Sequence, residues 1–193
     1  EPVSREAVLR AAKQRFAVEG YEKTTLRSIA DDAHVDPSMV LYLFGSKAEL
    51  FRESLRLIID PDALAAAIAE GDDDIGTRMV RTYLEIWEHP DTAASMVAML
   101  QSATSNSDAH EAFRAFMQTY VLTAVSGALG GGEHARLRAM LAATNLVGTA
   151  ILRYVMRVDP LAALPAEDVV KLIAPSVNRY LSASADELGL SGL

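Results

Sequence analysis

The feature that most constrains this chain is a pair of short apolar stripes at helical spacing, a few residues apart, near its N-terminal end. Leu26, Ile29, Ala30 and Ala33 recur on one helical face over about ten residues. Val40 and Phe44, four apart, make the inward face of a second helix. Thr24 stands where an N-cap for the first helix belongs. Asp36-Pro37 restarts the chain, because a side-chain acceptor followed by proline suits the first helical position. Gly45 ends the second helix, and Ser46-Lys47-Ala48-Glu49 has the S-x-x-E spacing of a capping box that opens a third. Upstream, Ser4 to Glu19 carries Val8, Leu9, Ala12 and Phe16 at helical spacing, and Gly20-Tyr21 closes it. Three helices on one small core is the economical reading. Two short helices joined by a tight turn can push the second into a DNA major groove, so the stretch points to DNA binding rather than catalysis.

Phe16 and the Gly20-Tyr21 turn, Thr24-Thr25 with Ile29-Ala30, Val35, and the run Val40-Leu41-Tyr42-Leu43-Phe44-Gly45-Ser46-Lys47 before Glu49-Leu50 form a recognisable set. On these residues the chain resembles the TetR-type bacterial transcriptional regulators. The resemblance is strong over about residues 4 to 58. Beyond them it is agreement in length and helical pattern, although Asp159-Pro160-Leu161 and Ala174-Pro175-Ser176-Val177 look like those of some actinobacterial members. It implies an all-α fold, with an N-terminal three-helix helix-turn-helix domain over residues 1–47 and a connector helix at about 47–59. Residues 48–193 would then form a C-terminal helical bundle for ligand binding and dimerisation. It further implies a cytoplasmic homodimer on a palindromic double-stranded DNA operator, acting as a repressor until a small hydrophobic or aromatic effector releases it.

Within the motif, Thr25 and Arg27 open the first helix of the pair, where hydroxyl, guanidinium and free N–H groups meet a phosphate strand. Tyr42 and Lys47 look like the family's other phosphate contacts. Ser38, Met39 and Leu41 are the candidates for base edges, where Met39 and Leu41 offer only apolar contact, such as with thymine methyl groups. Two positions depart from the commoner family pattern. His34 stands where glycine often makes the turn, and histidine is among the residues enriched at positive φ. Leu43 replaces a frequent histidine and loses one polar contact, or else is plain core.

Charge is uneven. The whole chain carries −8, yet residues 1–58 hold nine Lys/Arg and nine Asp/Glu, so the entire excess lies beyond them. A cationic face on a neutral domain still neutralises phosphates, while the acidic remainder suppresses indiscriminate binding. Steep salt dependence with modest non-specific affinity is expected.

Later segments read as further helices: Ala48 to Ile59, Pro61 to Glu70, Asp74 to Glu88, and Asp91 to Ala103 behind an N-cap after Pro90. Asp108-Ala109-His110-Glu111 has capping-box spacing and opens a helix to about Leu129. Gly130-Gly131-Gly132 reads as a connector, since no lysine or threonine follows at phosphate-loop spacing. Glu133 to Arg157 and Ala166 to Ala183 complete the set, and Ser182 to Leu193 reads as a fraying tail. Small residues in the first of these two (Ala142, Ala143, Thr144, Gly148, Ala150) permit close helix approach; the resemblance implies that both pair with their copies about a two-fold axis, the other reading being that both are internal to a monomer.

Tyr83, Trp87, Met96, Met99, Leu100, Phe116, Met117 and Tyr120 are candidates to line an apolar effector cavity, with Thr144, Asn145 or Arg153 as polar anchors. Taken singly, each also fits an ordinary core. Enzyme chemistry is not indicated: H-E-x-x-H, G-x-S-x-G and Walker sequences are missing, and the four histidines are scattered. Glu70-Gly71-Asp72-Asp73-Asp74 fails the calcium-loop pattern and reads as a solvated loop. No catalytic residue, metal ligand or cofactor is therefore expected. There is no cysteine and no apolar run of membrane-spanning length, so no membrane partner is expected. The start at Glu1-Pro2, without Met, suggests that a few residues precede it. The competing reading is a helical small-molecule-binding or adaptor protein without DNA binding.

Overall fold

The computed structural model describes residues 2–132 and 134–193, with side chains from Ser4 onward, so Glu1 and the expected helix start at Glu133 lie outside the described residues. Every regular element among the described residues is helical. In chain order these are α1 (Pro2–Lys23), α2 (Leu26–Asp32), α3 (Pro37–Phe44), α4 (Lys47–Leu55), α5 (Pro61–Ala69), α6 (Ile75–Glu88), α7 (Pro90–Ser105), α8 (Ser107–Phe116), α9 (Leu122–Ala128), α10 (Ala135–Ala150), α11 (Ala166–Ser182) and α12 (Ala185–Leu188). Wider π turns occupy Met117–Val121 and Ile151–Val155, and a 3-10 turn occupies Leu161–Ala163. The helices gather into two compact units. One comprises the chain up to Asp60 with His89–Gln118, and the other Pro61–Glu88 with Thr119–Leu193.

In the first unit, α1 packs along α7 and against α2 and α4, and α8 lies on α4. Val8, Ala12 and Phe16 from α1, Ile29 and Ala30 from α2, Val40 and Phe44 from α3, and Leu50, Phe51 and Leu55 from α4 are buried together. Phe16, Tyr21 and Phe51 form an aromatic cluster with ring centroids 5.1 to 5.8 Å apart. Gly20 interrupts α1 at φ 75, ψ 174, a conformation essentially reserved for glycine.

Capping differs from expectation by one or two residues in three places. Thr25, not Thr24, caps α2 by accepting from the Ser28 amide at 3.0 Å. Thr24 is buried and its hydroxyl donates to the Gly20 carbonyl at 2.7 Å. For α7 the cap is His89, with Pro90 as the first helical residue. Asn106 rather than Asp108 caps α8, accepting from the Asp108 and Ala109 amides. The Asp36-Pro37 start stands as read, and Ser46 caps α4 by accepting from the Glu49 amide at 3.1 Å, although the Glu49 carboxylate pairs with Arg52 rather than closing the expected box.

Acidic side chains near the motif are tied down. Arg15 donates to both oxygens of Asp32 at 2.5 and 2.8 Å and to Glu19 at 3.0 Å. Hydrogen bonding from Arg15 holds the Asp32 carboxyl below the ordinary carboxylate range, and bonds from Ser38 do the same for Asp36.

In the second unit, α6 crosses α11 closely, α5 covers α6 and α9, and α10 packs on α9 and α11. The crossing is made possible by Gly76, whose amide donates to Asn178 Oδ1 at 3.1 Å. A Cβ at Gly76 would lie 2.4 Å from the Asn178 backbone nitrogen. The acidic loop before α6 is more than solvated. Asp74 accepts from the Thr77 amide at 2.8 Å, and Asp73 pairs with Arg81 at 2.7 Å. Arg81 also holds Glu167 at 3.1 Å. The C-terminal segment is likewise ordered rather than frayed: Ser184 and Glu187 form a capping box for α12, and Leu190 is buried.

Gly76→Ala, which must displace backbone rather than a flexible side-chain tip, is expected to destabilise the protein by about 1–3 kcal/mol in urea unfolding. Because Asp36 is depressed in the folded state, its contribution is present above its ordinary value of 3.8 and lost as pH falls through the lower folded value. Asp36→Asn keeps an N-cap but removes the titration. Melting near pH 7 should change little, while the loss of stability below about pH 4 should be smaller than in the wild type.

Candidate nucleic-acid interface

The turn between α2 and α3 closes as its sequence suggests. His34 takes φ 55, and the Val35 amide donates back to the Ala30 carbonyl at 3.0 Å. With Val40 and Phe44 inward, α3 turns Tyr42 and Leu41 outward, 87% and 52% exposed. Thr25, Arg27 and Ser38 are exposed as well, whereas Met39 and Leu43 are half-buried. Thr25, Arg27, Ser38, Leu41 and Tyr42 are thus carried as free surface on the two helices. Met39 is only partly accessible.

Hydrogen bonding refines what each can offer. The Thr25 oxygen accepts the Ser28 amide, and the Ser28 hydroxyl accepts from the Thr25 amide at 3.2 Å, so the cap leaves the Thr25 O–H proton unused. Ser38 differs. Its hydroxyl donates to Asp36 Oδ1 at 2.5 Å, which leaves lone pairs as what it presents to an incoming group. Among the described residues Arg27 makes no ion pair. Arg5 lies over the Phe44 ring, 4.7 Å from its centroid, and supports α3 from beneath.

Lys47 is placed otherwise than a free phosphate contact. It is half-buried, and its ammonium donates to the carbonyls of Tyr21, Thr24 and Glu22 at 2.9, 3.1 and 3.5 Å.

The candidate effector-lining residues divide between the two units. Met96, Met99 and Phe116 are buried in the first, with Leu100 and Met117 half-buried. In the second, Tyr83 and Trp87 are buried, while Tyr120 and Asn145 are half-buried. Asn145 bonds back to the Leu141 carbonyl at 3.2 Å. Sequence reasoning missed Tyr154 and Glu88 beside Trp87 and named Arg153 only as a polar anchor. Tyr154 stacks on it with centroids 5.4 Å apart and donates to Glu88 at 2.6 Å. Buried Arg153 reaches the same carboxylate at 3.3 Å and the Leu161 and Leu164 carbonyls at 2.8 and 2.7 Å. Burial pushes the Tyr83 and Tyr154 hydroxyls up to about 12, so both stay protonated at neutral pH. Among the described residues no His, Asp and Glu group is arranged to hold a metal ion, and no helix is long and apolar enough to cross a membrane.

Residues 8–54 match the family described as bacterial regulatory proteins, tetR family, and residues 73–181 match the family described as tetracyclin repressor-like, C-terminal domain. No curated protein matches the chain. Among solved structures, a TetR-family regulator from Streptomyces coelicolor A3 is 35% identical, with 94% of this chain and 96% of that one covered and a TM-score of 0.69. NalD, the secondary repressor of the MexAB-OprM multidrug efflux pump in Pseudomonas aeruginosa, is 22% identical over 90% and 96% of the two chains, with a TM-score of 0.60. SmeT, in a complex with triclosan, is 19% identical over 88% and 90%, also with a TM-score of 0.60. These last two likenesses are of fold. Together with the capped helix pair at residues 25–44, the matches over both halves lead to one conclusion: the chain belongs to the TetR family of DNA-binding transcriptional regulators, and it is not an enzyme.

Proposed function

We propose that this regulator is a cytoplasmic, homodimeric repressor that grips a palindromic operator through α2 and α3 and lets go when a small, largely apolar effector binds. In this reading residues 1–47 read DNA and residues 48–193 bind ligand and dimerise, a division by role rather than by packing. The observation that carries it is the outward array on α2 and α3: an almost fully exposed tyrosine and a half-exposed leucine beside inward Val40 and Phe44. A soluble chain gains nothing in stability from exposing such side chains, whereas a groove-reading helix needs them. Arg27 and Tyr42 then contact phosphate with Thr25, and Ser38, Met39 and Leu41 face base edges, Ser38 as an acceptor toward an amino group.

Dimerisation is supported by apolar side chains left exposed on α10, on the π turn and the cap residue that follow it, and on α11. Met140, Leu152, Met156 and Leu172 are 42%, 44%, 62% and 64% exposed. Gly148 has open space where a Cβ would stand, so a second helix can approach closely there. Support for an apolar effector comes from buried Tyr83 and Trp87 with Tyr154, from the buried methionines of α7, and from the triclosan held by SmeT.

Selection of duplexes from a random-sequence pool by the intact protein tests the DNA reading, and enrichment of two-fold-symmetric half-sites is expected. On the enriched duplex, Arg27→Gln should weaken binding about tenfold or more. It should also flatten the log K against log salt slope by about 0.9 per protomer. Failure to enrich any sequence would remove the regulator reading of this face. Met140→Glu should convert dimer to monomer in sedimentation velocity and abolish the shift of the enriched duplex, with helical content unchanged. A variant that stays dimeric would place the interface elsewhere.

A further inference from the structure

The last carbonyls of a helix have no following N–H to accept from. At the end of α1 this is acute, because Gly20 breaks the hydrogen-bonded run and leaves Tyr21 to Thr24 as a short return segment. That segment is held from several sides. Ser102 Oγ, on α7, accepts from the Tyr21 amide at 3.1 Å, and Thr24 Oγ1 closes on the Gly20 carbonyl at 2.7 Å. Lys47 supplies the rest. Its Nζ reaches three carbonyls of the segment and stands 4.4 Å from the Tyr21 ring centroid, where the aromatic face is electron-rich. An ammonium has three N–H donors, so this arrangement uses all of them.

The position of these atoms in the chain gives them a further meaning. Thr24 is the last residue before the α2 cap, and Lys47 is the first residue of α4, two beyond the Gly45 that ends α3. One side chain therefore links the entry and the exit of the helix pair that faces DNA.

We propose that Lys47 is a positioning residue for DNA binding. It fixes the entry of α2 relative to the exit of α3 by gathering the Tyr21, Glu22 and Thr24 carbonyls, and it does not itself contact phosphate. The inference rests on the reading of α2 and α3 as the DNA-facing pair, and it reverses the role that the family resemblance implied for this lysine.

The two roles separate in a salt titration on a duplex enriched by the wild-type protein. Loss of a phosphate contact in Lys47→Met would flatten the slope by about 0.9 per protomer, and Lys47→Arg would restore binding, since arginine serves phosphate at least as well. For a positioning residue the outcome differs. Lys47→Met weakens binding tenfold or more with the slope unchanged. Lys47→Arg does not rescue, because a planar fork cannot converge on three carbonyls around one point. Hydrogen exchange of residues 21–28 quickens in both variants in the absence of DNA. A flattened slope in Lys47→Met overturns the proposal, as does wild-type binding by Lys47→Arg, which alone decides the matter if Lys47→Met fails to fold. Arg27→Gln on the same duplex is the control that should lose slope. A wild-type protein without salt-dependent binding would sink the α2–α3 reading itself and this inference with it, whereas a slope change confined to the Lys47 variant sinks only the latter.

Discussion

Shortness is the constraint on which the DNA-facing half depends. α2 has seven residues and α3 eight, and isolated helices below about 12–15 residues are marginal in water. Neither can hold its own geometry, so both are fixed from outside. Caps at Thr25, Asp36 and Ser46 satisfy the exposed amides of α2, α3 and the following α4. Ile29, Ala30, Val40 and Phe44 key the pair into the core built by α1 and α4. What remains outward is then free to be chosen for contact rather than for folding.

Net charge fits the same economy. Two of the aspartates around the motif already have partners or caps to serve: Asp32 is paired with Arg15, and Asp36 is committed to the Ser38 amide and hydroxyl. Each ion pair takes up one charge of either sign, so the first 58 residues stay formally balanced, while Arg27 keeps its charge outside any ion pair among the described residues. The −8 of the whole chain is carried elsewhere.

Wherever the deciding physics was local, the sequence was readable. The inward spacing of Val40 and Phe44, the restart at Asp36-Pro37 and the positive φ of His34 are all settled by neighbours within four residues. The Thr24/Thr25 slip shows the boundary of that legibility. Both threonines satisfy cap chemistry equally, and the choice is made by the Gly20 carbonyl, which draws the Thr24 hydroxyl inward. Contacts between distant positions left no local signal. Trp87 with Tyr154, Ser102 with Tyr21 and Gly76 with Asn178 depend on helix packing that no spacing rule encodes. The outward place of Leu41 and Tyr42 followed from the Val40 and Phe44 spacing, that of Thr25 and Arg27 from the helix start, and the role of Tyr42 from the resemblance, whereas the carbonyl partners of Lys47 became visible only with the fold.

The shared bond between Asp36 and Ser38 has an evolutionary consequence. The Ser38 hydroxyl faces outward and also adds a second bond to the Asp36 oxygen that caps α3, so a descendant that altered it would keep the backbone cap but lose that side-chain bond. Leu41 carries no such double duty, since it is exposed and bonds to nothing through its side chain. Divergence of target preference among close homologues should thus run more freely through position 41 than through position 38.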